Sequence, residues 1–178
     1  MHATNAGNAV EKLTLRGSAL IDRIEREVPD ADRTWKPAPR SWSLTEVVEH
    51  LSLVASGMLR TARQSNSASP QLGALKSAVL RSVLRSPLRF PVPVAAVVPR
   101  TGVSWSDARR HLLDSGVRWT TFAVADSPAS LRFRHPLVGK LTPTETADFL
   151  VEHFDHHMRQ IQRLFAALQA RNVATRST

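Results

Sequence analysis

Cysteine is absent from the 178-residue chain. With it go disulfide frameworks, thiolate zinc sites, iron–sulfur clusters and cysteine nucleophiles, so any metal must be held by His, Asp or Glu. Tyrosine is absent too, and aromatic residues make up only 6%, which leaves few rings for a base-stacking surface. No apolar run approaches the roughly 18 residues that span a bilayer. The N-terminal region alternates charged and apolar positions and lacks the apolar stretch of a signal peptide, so the expected location is the cytoplasm. Acidic residues are missing from the whole stretch between His50 and Ser106.

What is present suits a folded chain. Hydrophobic residues at 42% and charged residues at 22% supply a core and argue against wholesale disorder. The length fits one domain of about 100–200 residues. The net charge is +9, from 24 basic against 15 acidic residues, and a field of that sign favours anionic partners. The acid-free stretch contains Arg60, Arg63, Lys76, Arg81, Arg85, Arg89 and Arg100. Its plainest reading is arginine bias on a solvated face. The other reading is a contact surface for nucleic acid or an anionic membrane, marked by steep salt dependence.

Apolar periodicity predicts four long helices. The first, over 8–28, carries Val10, Leu13, Leu15, Leu20, Ile21, Ile24 and Val28. Pro29, Pro37 and Pro39 then make a stiff connector. Ser43 followed by Glu46 is a capping box, with Trp42 and Val47 at the positions of a hydrophobic staple. It opens a helix over 43–64 with Leu44, Val47, Val48, Leu51, Val54 and Met58 on one face. Residues 65–103 read as a basic insertion or lid with a short amphipathic helix at 74–86. A third helix, over 104–123, carries Ala108, Leu112, Val117, Trp119 and Phe122, and residues 124–141 are a Pro- and Gly-containing connector. Thr142 and Glu145 form a second capping box with Pro143 at the first helical position. The helix it opens, over 143–170, bears Ala147, Leu150, Phe154, Ile161, Leu164, Phe165 and Leu168. No segment reads as a strand. The expected fold class is therefore all-α, a four-helix bundle forming one domain over 1–178.

Seven histidines are present, three of them in Glu152-His153-Phe154-Asp155-His156-His157. Helix positions four apart differ by only about 40° of rotation, so His153 and His157 share the face of Leu150, Phe154, Ile161 and Leu164. His156 lies on another azimuth and is expected to point outward. Each core-facing imidazole could be an ordinary hydrogen-bonded core histidine. A pair at this spacing is also how two rings on one helix chelate a divalent ion. His50 lies between Val47 and Val54 on the core face of the second helix, and facing helices of a bundle can bring it against that pair. The result would be an open three-histidine site; imidazole alone does not choose among zinc, nickel, iron and copper.

The same residues carry a resemblance. Trp42-Ser43-Leu44-Thr45-Glu46-Val47-Val48-Glu49-His50-Leu51 resembles the "WS…E…HL" element of the DinB-like superfamily, named for damage-inducible bacterial proteins. His135-Pro136-Leu137-Val138-Gly139 with Leu141-Thr142 is similar to that family's "HP.hG.LT" lead-in to the last helix. His153 through Ile161 is similar to its final "H…H..QI" signature. Order and spacing match along nearly the whole chain, apart from the basic insertion at 65–103. The resemblance implies a four-helix bundle with a divalent metal (zinc, nickel or iron) on His50, His153 and His157. Gln160, one turn from His157, is either a partner that orients that ring or a polar residue at the bundle edge.

Other residues read more plainly. Glu46 is explained by the cap, Glu49 points about 100° away from His50, and Asp155 faces outward. His135 before a proline suits a turn better than ligation. The four tryptophans suit core and staple positions better than a stacking platform. No phosphate loop, serine elbow or H-E-x-x-H motif is present, and no catalytic side chain beyond the three ligands is assigned. Relatives in the family include thiol-dependent S-transferases and hydrolases. The resemblance therefore implies a metal-activated low-molecular-weight thiol or water attacking a small electrophilic substrate, with Arg81 and Arg85 as candidate anion contacts. The alternative is a metal- or ligand-binding bundle without catalysis. A homodimer is the expected assembly.

Overall fold

The computed structural model describes residues 5–64, 94–124, 131–136 and 139–176. Four long helices dominate them: α1 (Asn5–Glu27), α2 (Leu44–Arg60), α3 (Trp105–Val124) and α4 (Pro143–Arg176). The molecule is an all-α bundle in which α3 packs on α1 and α2, and α4 packs on the same two helices. Among the described residues no helix is long and apolar enough to cross a membrane.

Local sequence fixes the helix starts. The Ser43 hydroxyl accepts from the Glu46 N–H at 3.2 Å, and the Glu46 carboxylate accepts from the Ser43 N–H at 2.9 Å. Thr142 and Glu145 repeat the exchange at 3.2 and 2.8 Å. Each exchange satisfies two amides that a helix start otherwise leaves unpaired. At the other end of α2, Thr61 turns the chain out with its N–H on the Met58 carbonyl, so the helix stops at Arg60 and does not run on to residue 64. Helix α4 instead continues past residue 170. Arg171 reaches back to Asp32, its guanidinium carbon 4.8 Å from the Trp35 ring centre, which ties the last turns to the proline-rich connector.

The apolar stripes of α2 and α4 are buried as the periodicity requires. On the other two helices one residue each departs. Leu15 is 64% exposed and Val117 is 62% exposed. Leu15 lies two positions from Leu13 and Val117 two from Trp119, about 200° around the helix from their neighbours, so both fall on the solvent side.

The absence of strands is corrected by the structure. Arg63–Gln64 (β1), Leu131–His135 (β2) and Gly139–Leu141 (β3) form a small antiparallel sheet in the order β1-β2-β3. Phe133 pairs with Leu141, Arg134 with Lys140 and His135 with Gly139. The connector expected at 124–141 thus ends in a hairpin, whose Gly139 has φ of +81°, a conformation that glycine adopts without the Cβ penalty. Alternation along Arg132-Phe133-Arg134-His135 suits it: Phe133 and Leu141 are buried while Arg134 and Lys140 face water. The helix expected at 74–86 lies outside the described residues.

Two apolar clusters fill the core. One joins Leu20, Ile24, Val48, Leu51, Phe154 and Ile161; the other joins Val54, Trp119, Phe133, Leu141 and Leu150. On α2 they divide between Leu51 and Val54, and on α4 between Leu150 and Phe154. His153 stands at that division on α4, and His50 lies just before it on α2.

Candidate metal centre

The Ser43 cap fixes where α2 begins and hence the rotation at which it presents its second turn. That rotation turns His50 inward against α4, where His153 and His157 lie one turn apart. All three imidazoles are buried. One ring nitrogen from each lies within 4.8 Å of the others. The Nε2 atoms of His50 and His153 are 3.1 Å apart.

Two of the rings are oriented by partners that can only accept. His50 donates Nδ1–H to the Val97 carbonyl at 2.6 Å, and His157 donates Nδ1–H to Gln160 Oε1 at 2.8 Å. Each bond puts the proton on Nδ1 and leaves Nε2 as a lone pair. Trp42, just outside the α2 cap, packs over the pair, its ring centre 4.8 Å from that of His50 and 6.1 Å from that of His157. A residue expected to staple the helix start therefore also roofs the histidines.

Burial sets the charge state. It pushes His157 down to about 3 and His153 well below the ordinary 6.5, each further lowered by neighbouring histidines. His50 is lowered by burial first, with its bond to Val97 opposing. The triad is thus neutral at pH 7, the form in which imidazole ligates. Three neutral nitrogens on a buried spot fit a divalent ion. Ligands about 2.0–2.1 Å from a tetrahedral zinc lie about 3.4 Å apart, close to the spacing of His50 and His153. Three imidazoles and no thiolate admit zinc, nickel, iron or copper.

The remaining residues fall as follows. His156 is half-buried, with its ring centre 5.0 Å from that of His157, so it leans on the triad and does not point fully outward. Asp155 is half-exposed and pairs with Arg16. His135 ends β2 and packs edge-on against Phe149 at 4.6 Å; it is buried, burial holds it at about 4, and it is not in the ligand cluster. Arg81 and Arg85 lie outside the described residues. Sequence reasoning missed the Val97 carbonyl, for which a backbone group leaves no side-chain signature. It also missed the roofing role of Trp42, which its place two turns before His50 and just outside the cap could have suggested.

A family model described as the DinB superfamily matches residues 16–161. A crystal structure of a four-helix bundle protein is similar at 19% identity, over 92% of this chain and 98% of that chain, with a TM-score of 0.46. No curated protein matches.

Proposed function

Because the chain belongs to the DinB superfamily, we propose that His50, His153 and His157 hold one divalent metal ion and that the protein is a metal-dependent enzyme acting on a small electrophilic molecule. The observation that carries this reading is the convergence of three buried, neutral imidazoles within 4.8 Å. A metal held by His50, His153 and His157 would supply Lewis acidity that makes water or a low-molecular-weight thiol a nucleophile near neutral pH. The chain's own residues do the positioning. Val97 and Gln160 fix the tautomers of His50 and His157, and Trp42 shields both rings from bulk water. With a thiol the outcome is S-transfer; with water it is hydrolysis.

A non-catalytic metal-binding bundle is the second reading, and the carboxylates favour it. Glu49, beside His50, and Asp155, between His153 and His157, are held by Arg100 and Arg16 and are not placed to move a proton at the site.

Metal analysis by mass spectrometry on untagged protein tests the common premise. About one ion per chain in the wild type, lost in His50→Ala and His157→Ala, is the expected result for a single site. A wild type that takes up neither zinc nor nickel overturns it. Turnover in a screen of thiols and electrophiles then separates the enzyme from the binding module.

A further inference from the structure

We infer that Glu49 and Arg100 are positioning residues for the histidine triad, a latch that keeps the Val97 carbonyl on His50. The inference rests on the metal-site reading but stands on its own contacts. Glu49 precedes His50 on α2, so it projects about 100° away around the helix, toward the chain returning through residues 94–100. Its side chain is 0% exposed, and a buried carboxylate needs donors for both oxygens. One residue supplies them. Arg100 Nε donates to Oε1 at 2.6 Å, and the Arg100 backbone N–H donates to Oε2 at 2.9 Å. The second bond matters most, because it fixes the main chain and not merely a long side chain.

Three residues earlier, the Val97 carbonyl takes the His50 Nδ1–H. Between them, Pro99 restricts the backbone by fixing its own φ, and the N–H groups of Val97 and Val98 close tight turns onto Val94 and Ala95. Consecutive residues of α2, Glu49 and His50, thus grip one short piece of backbone at two points. The Arg100 side chain is 60% exposed, so its Coulomb attraction is screened and the latch works by geometry. Freed from it, Val97 keeps its turn onto Val94 and its packing on the second core cluster, but the backbone after it is no longer anchored and His50 loses a fixed acceptor to select its tautomer.

The test uses the full chain, with Glu49→Leu, which removes both acceptors at similar volume, and Arg100→Ala, which removes only the side-chain bond. In the metal-free, 15N-labelled protein, long-range imidazole NMR reads the tautomer of each ring. The wild type is expected to show Nδ1–H at both His50 and His157. Glu49→Leu is expected to lose that preference at His50 and Arg100→Ala, which keeps the backbone bond, to weaken it; both are expected to keep it at His157, whose partner is Gln160. Zinc affinity by chelator competition is expected to fall about 10–100-fold, the usual effect of removing a partner that orients a ligand. Ile24→Val, a mild loss in the first core cluster, should leave both readouts at wild-type values. If His50 stays Nδ1–H in both variants, or zinc affinity stays within about twofold in both, the latch is overturned. If the wild type takes up no zinc, the metal reading fails alone and the tautomer still decides the latch.

Discussion

His135 is held at about 4 by burial, against 6.5 for a free histidine. A folded-state pKa below the unfolded value means the unfolded chain binds the proton first. Stability from this group is therefore full above about 6.5 and is lost as pH falls toward about 4. Denaturant melts of the metal-free chain between pH 7 and 4 should show it. His135→Gln is expected to make the acid slope shallower by up to one proton, at most about 1.4 kcal/mol per pH unit. At this scale the sequence was informative wherever the side chain itself carries the role. His50, His153 and His157 could be placed on facing sides because helix rotation per residue is fixed. The Val97 carbonyl could not, since any residue offers one, and only the fold determines which carbonyl meets which ring.

Helices α1 and α3 meet where Thr14 faces Gly116. A methyl group added at Gly116 would sit 2.9 Å from Thr14 Cγ2, whereas one added at Gly17 on α1 meets nothing within 4 Å. The two substitutions should thus differ in sign. Gly17→Ala is expected to stabilise by up to about 1 kcal/mol through helix propensity. Gly116→Ala sets the same gain against about 1–3 kcal/mol of overpacking and should be neutral to destabilising. Adding Thr14→Ser, which removes the offending methyl, should recover much of the loss in a double-mutant cycle; thermal melts of the four variants check both points. Elements were legible where a short pattern has one local meaning, as in Ser43-x-x-Glu46 and Thr142-x-x-Glu145, whose reciprocal bonds both form. The hairpin was not. Leu131-Arg132-Phe133-Arg134-His135 is too short for alternation to stand out beside Pro136 and Gly139, and β1 is two residues long and exists only by pairing with β2.

The bundle is closed at one end by α4, whose 34 residues span about 50 Å and whose last turns grip the connector through Arg171, Asp32 and Trp35. The other end is closed by the sheet, whose Phe133 stacks on Trp119 with ring centres 5.4 Å apart. The triad lies between, joining helices from the two halves of the sequence. A ligand that binds only the folded chain stabilises it by about 2.7 kcal/mol at 100 times its Kd. Zinc in that excess is thus expected to raise Tm by roughly 5–10 °C, and EDTA or His153→Ala should abolish the shift in a calorimetric scan.

His50 and His153 are 103 positions apart in the chain, so an ion gripped by both closes a loop of more than half the molecule. In a protein without cysteine, that closure is the nearest counterpart of a long-range crosslink. It differs from a disulfide in being reversible, and this gives the fold a clock. With an ion bound there, α2 could not peel away from α4 without first releasing an imidazole. The lifetime of the closed bundle would then depend on how fast one imidazole lets go as well as on its apolar core.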